Sequence, residues 1–99
     1  MMNPTAETGD SLSYGKPGMS VFPNPATSQI NILYNTQNNG EADIVILSEL
    51  GSQLIRKTVG TTAGKNNFSF NIGQLSNGVY FVKLIDGKNM YIKKLVVQR

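Results

Sequence analysis

The chain has 99 residues and no cysteine, histidine or tryptophan. Lacking cysteine, it cannot build a disulfide framework, and it can cross an oxidising compartment without mispairing. Lacking both Cys and His, it is denied nearly every zinc site, every Cys–His nucleophile pair and every Ser–His–Asp triad. Carboxylates are scarce too: Glu7, Asp10, Glu41, Asp43, Glu49 and Asp86. Only Glu41 and Asp43 share a strand face, and they read as an exposed strand start. An acid–base pair would need two carboxyls with opposed pKa values held in a cleft. No D-x-D-x-D-G loop suggests calcium, and the glycines follow no phosphate-cradling pattern. The sequence therefore predicts no catalytic residue, no metal and no cofactor.

Long apolar runs are also missing. Nothing approaches the roughly 20 residues of a membrane helix, so no direct membrane insertion is expected. "MMNPTAETGDSLSYGKPG" lacks the apolar stretch of a signal peptide. The expectation is either a cytoplasmic chain or a piece of a longer exported protein. The net charge is +3, with Glu7 and Asp10 against Lys16 in residues 1–20 and eight basic against four acidic groups beyond. The lysines are scattered and form no stripe interleaved with stacking aromatics, so nucleic acid is not an expected partner.

Residues 1–17 are polar and rich in Pro, Gly, Ser and Thr, and read as a flexible linker or terminal extension. From residue 18 the pattern is all β. Seven short runs, β-branched or aromatic, fall at 19–22, 29–34, 42–48, 53–59, 66–72, 78–85 and 90–97. Between them stand turn residues, among them Asn39–Gly40, Gly51–Ser52 and Asn77–Gly78. Asp86–Gly87 is the best two-residue hairpin signal and suits a type I′ turn, whereas 35–40 reads as a longer polar hairpin loop. Alternation assigns one core face to Ile30, Ile32 and Tyr34, and others to Ile44 and Ile46, to Phe68, Phe70 and Ile72, and to Tyr80, Val82 and Leu84. Seven such strands predict an immunoglobulin-like antiparallel β-sandwich in one domain, 18–99.

The last run changes phase. Met90 and Ile92 are apolar at even positions, then Leu95 and Val97 at odd ones. A β-bulge near Lys93 would re-aim the face. Alternatively Tyr91, Leu95 and Val97 point inward and Lys93 reaches past the sheet rim. At the other end, Pro23 and Pro25 in "VFPNPA" stop a short first strand from continuing, and Asn24 is expected to bond nearby backbone in an Asx-type turn. Tyr80 follows a turn at a strand start, as in a tyrosine corner; its ring should be buried and its hydroxyl bonded to backbone upstream.

Pro23–Asn24–Pro25, then Ile30 and Ile32, Gly51, Leu75 with Gly78 and Tyr80, and finally Lys93–Lys94–Leu95–Val96–Val97 occur in an order that resembles a known family. It is the C-terminal sorting domain, type A, of the type IX (Por) secretion system of Bacteroidetes-type bacteria, and the likeness covers about residues 20–99. Ser48 stands where that family usually has Asp or Asn, and offers a weaker bond to the following turn.

The resemblance implies a non-catalytic secretion signal. It implies an N-terminal cargo domain, transit through the periplasm, an outer-membrane translocon that reads the domain, and a sortase-like surface protease that typically removes it. The cargo would finish at the cell surface or secreted. The residues implied for sorting are Pro23, Asn24, Pro25, Gly78, Tyr80, Lys93, Lys94, Leu95, Val96 and Val97. Lys93, Lys94 and the end of the last strand would present a partly open edge, read by strand addition and charge. Two rival readings are a fibronectin-like or carbohydrate-binding sandwich and a spacer of a surface protein. The absence of tryptophan weighs against sugar binding.

Overall fold

The computed structural model describes residues 18–99; the expected linker at 1–17 lies outside them. Seven strands follow in order: β1 (Gly18–Phe22), β2 (Gln29–Thr36), β3 (Gly40–Ser48), β4 (Gln53–Thr61), β5 (Gly64–Asn71), β6 (Gly78–Asp86) and β7 (Asn89–Val97). They form two antiparallel sheets, β1-β2-β5 and β4-β3-β6-β7. This is the expected sandwich, with the fourth strand on the sheet of the third.

Period-2 alternation puts the predicted residues inside. Ile30, Ile32 and Tyr34 face Ile44, Ile46, Val82 and Leu84 across the layers, all but lost to solvent. Phe70 from the three-stranded sheet and Ile72 just past the end of β5 join them, with Phe68 packed at the margin. Removing such a side chain from water contributes about 1.5–3 kcal/mol, so this interior is what sets the register of every strand.

Two connections differ from the sequence expectation. Residues 35–40 make no hairpin: β2 pairs with β1 and β5, and the chain crosses there to the other sheet. The side chains help to fix the crossing, since Ala63 N–H donates to Asn39 Oδ1 at 2.8 Å. The β6–β7 hairpin exists, but its turn is displaced by one residue. Asp86 pairs with Asn89, leaving Gly87 and Lys88 as the loop. Gly87 has φ +60° and Lys88 does not have positive φ. That suits a turn with Gly at its first central position, the II′ type, instead of I′.

Asp86 is held in the strand end because it has other work. Tyr34 Oη, from the opposite sheet, donates to Asp86 Oδ2 at 2.6 Å, and Thr36 Oγ1 lies at 3.5 Å. The Tyr34 ring also leans on Tyr91, centroids 5.6 Å apart. Together these contacts pin the two layers at one end of the sandwich. Burial, reinforced by the bond to Asp86, pushes the Tyr34 phenol up to about 12. An unfolded tyrosine ionises near pH 10. Stability owed to this group is thus complete below about pH 10 and is lost as pH rises through about 12. Tyr34→Phe is expected to lower stability at neutral pH and to flatten the loss between about pH 10 and 12. Denaturant melts of both chains across that interval, taken as a difference, check it.

Candidate functional site

β7 is an edge strand, and its phase change is resolved without a bulge. It pairs with β6 through an unbroken register from Gly78–Val97 to Asp86–Asn89. Tyr91, Lys93, Leu95 and Val97 occupy the inward positions; Leu95 and Val97 are buried, while Lys93 remains exposed at the rim. Lys57 does the same on the other edge strand, its Nζ 5.8 Å from the Phe70 ring centre. An inward lysine on each edge discourages another sheet from adding there. The one register shift of the four-stranded sheet falls between Ile46 and Leu47, opposite β4.

Because β7 is at the edge, half of its backbone groups point away from β6. Over its C-terminal half they are covered by the segment that opens the domain. Asn24 Nδ2 donates to the Lys94 carbonyl at 2.9 Å, and Val96 N–H donates to Asn24 Oδ1 at 2.9 Å. Two residues on, Ala26 N–H donates to the Val96 carbonyl and Gln98 N–H to the Ala26 carbonyl, at 2.8 and 2.9 Å. Ala26, fully buried, thereby forms a parallel bridge to Val97. The amide of Asn24 imitates one peptide unit of a strand, and Ala26 supplies the next.

Two prolines stand in the segment that leads from β1 to this edge. β1 ends at Phe22, and the Phe22–Pro23 and Asn24–Pro25 peptide bonds are both cis. Neither proline offers an N–H that would need a partner. Asn24 does not close a local Asx turn as the sequence suggested; its partners lie 70 and 72 residues away. The partly open edge expected from Lys93 to the end of the last strand is therefore occupied from Lys94 to Gln98.

The turn before β6 is tied to the same corner. Tyr80 is buried and its Oη donates to the Ser76 carbonyl at 2.6 Å, the expected tyrosine corner. Gly78 starts β6 opposite Val97. Arg99, part of the terminal run but not among the residues implied for sorting, closes the corner. Its guanidinium donates to the Ile72 carbonyl at 2.8 Å and to the Leu75 carbonyl, and its N–H to Asn77 Oδ1 at 3.1 Å. A single arginine among apolar and turn residues gives no pattern to find it by.

The ten sequence-predicted residues thus gather on one strand-and-corner unit, yet they divide in kind. Tyr80, Leu95 and Val97 are interior; Pro23, Asn24, Pro25, Gly78, Lys93 and Lys94 are exposed, and Val96 is half-buried. What meets solvent is a seam: two prolines and an asparagine laid along a strand that carries two lysines. Elsewhere the polar side chains serve turns. Ser52 N–H donates to Ser48 Oγ at 3.0 Å, the bond expected for serine there. Buried Asn66 accepts from the Thr62 N–H at 2.9 Å and donates to the Tyr34 and Thr62 carbonyls, fixing the β4–β5 connection. Asp43, of the one shared carboxylate face, is held below the usual carboxylate range by Thr58 and Arg56 at 2.6 and 2.7 Å. Among the described residues no group of three metal-ligating side chains occurs.

Asn24→Ala removes two hydrogen bonds of about 0.5–1.5 kcal/mol each. It is expected to cost about 1–3 kcal/mol in all and to lower Tm by several degrees. Thermal melts of the two chains check this, and Asn24→Asp, which keeps the acceptor and loses the donor, should fall between them.

No curated relative and no solved structure matches the chain. The model of one family, the secretion system C-terminal sorting domain, matches residues 20–98, from within β1 to the end of the β7 corner. That range contains both halves of the seam and favours a sorting role over a loop-based binding module. The chain belongs to the secretion system C-terminal sorting domain family, whose members are C-terminal sorting signals for type IX secretion.

Proposed function

We propose that the type IX machinery reads the seam as a folded surface, with Lys93 and Lys94 as its charges and Pro23–Asn24–Pro25 as its fixed border. One observation supports this above others: Asn24 binds the Lys94 carbonyl and the Val96 N–H, so motifs 70 residues apart in sequence form a single surface. Tyr80, Leu95 and Val97 then act on recognition only by holding β6 and β7 in place. Gly78 and Val96 complete the surface at the corner. The family role entails export to the cell surface or medium, and an interaction with the secretion machinery and an N-terminal cargo. The finer assignments belong to this proposal: periplasmic transit, an outer-membrane translocon as reader, and a sortase-like surface protease that removes the domain. The described residues would be the delivered address, and the linker read in residues 1–17 would carry the cut. A sorting signal has no chemistry to perform, which agrees with a family that is generally non-catalytic.

The test is an export assay with a periplasm-directed fluorescent reporter fused ahead of residues 1–99. The reporter is expected outside a host with a type IX system and inside the same host lacking the translocon. Lys93→Glu, an exposed change worth no more than about 0.5 kcal/mol to stability, should lower export severalfold in the competent host. Equal reporter distribution in both hosts would refute the reading.

A further inference from the structure

The two sheets present unlike outer faces. On β1, β2 and β5 the outward positions include Ser20, Asn31, Asn35, Asn67, Ser69 and Asn71, a lattice of amides and hydroxyls interrupted by Phe22 and Leu33. On the four-stranded sheet the outward rows of β6 and β7 pair Val79 with Val96, Phe81 with Lys94, Lys83 with Ile92 and Ile85 with Met90. Met90 and Ile92 are 56% and 50% exposed. Next to them on β3, Val45 is 1% exposed although it points away from the core cluster. An apolar field of this kind on one side of a small domain marks an interaction surface.

On β6 and β7 the charges of this face, Lys83 and Lys94, are both positive. Asp43 on this face is already held by Arg56 and Thr58, and Glu41 stands beyond it at the far end of β3. Lys83 and Lys94 are in no ion pair among the described residues. They also lie inside the apolar rows instead of around them.

We infer that the outer face of β6 and β7 docks a protein surface on which carboxylates alternate with apolar side chains, the carboxylates meeting Lys83 and Lys94. This rests on the sorting role, and the partner would be a component of the secretion machinery. The face is continuous with the seam, since Asn24 grips the carbonyl of Lys94 itself. A second copy of this chain is a poor occupant, because two such faces would set unpaired lysines against each other. An anionic bilayer is less well matched, since membrane-lying segments separate their cations from the apolar side. Here the two alternate within one plane.

The experiment uses the full-chain reporter fusion in a host that exports it. Lys83→Glu with Lys94→Glu, and separately Met90→Ser with Ile92→Ser, are compared with Lys65→Glu and Leu33→Ser on the other sheet. Both changes to the β6–β7 face are expected to lower export about tenfold, with Tm close to that of the parent and the control variants unaffected. Should the Glu pair fail to fold, Lys83→Gln with Lys94→Gln takes its place. Parental export from folded face variants would overturn the inference. So would a purified parent chain whose sedimentation shows a dimer that Ile92→Ser dissolves. Flotation with phosphatidylglycerol vesicles, abolished by the Glu pair, would overturn it likewise. If the parent fusion itself exports equally without the translocon, the sorting reading falls instead.

Discussion

The structure depends on closing one strand edge. β7 ends the four-stranded sheet, and alternate peptide groups along it face away from β6. Water could satisfy them, but an open edge with apolar neighbours invites pairing with other chains. In this chain the groups from Lys94 to Gln98 are taken by Asn24 and Ala26. The first strand thus leaves the three-stranded sheet at Phe22 and finishes its course on the other sheet. Both layers are joined through it, and the last strand is held by the first stretch of the domain.

This arrangement joins two segments that stand 70 residues apart in the sequence. Each half has meaning only when the other is in place, because the seam exists only in the folded domain. On the proposed reading, folding and recognition are coupled: a chain whose last strand has not docked lacks the surface. The corner of Tyr80 and Arg99 reinforces the coupling by tying the turn before β6 to the end of β7. At the opposite end, Tyr34 and Asp86 join the layers independently.

Much of the fold was legible in the sequence because a period of two is a direct record of which face is buried. The seven strands, the inward positions of β2, β3 and β6, and the corner at Tyr80 follow from it and from turn chemistry. What failed to show depends on contacts distant in sequence. Asp86–Gly87 looks like a type I′ pair by local rule, but Tyr34 claims the aspartate for the strand and shifts the turn by one residue. The loop 35–40 reads as a hairpin because local composition does not reveal a change of sheet. Lys93 admits two placements by local pattern alone, and the unbroken register of β7 decides for the rim. For the candidate site, the residues proposed for sorting come from family likeness, while their assembly into one surface could not be read from it. Asn24 carries no mark that its partners stand at the far end of the chain.

The whole arrangement requires the opening segment to cover the edge of β7. Native-state amide hydrogen exchange of the full chain tests it most directly, since Val96 and Gln98 point away from β6 and have no other backbone shelter. If Asn24 and Ala26 hold them, both amides will exchange as slowly as those of Val82 and Leu84, through global opening. If they exchange orders of magnitude faster than those core amides, the edge is open and the seam does not exist in solution.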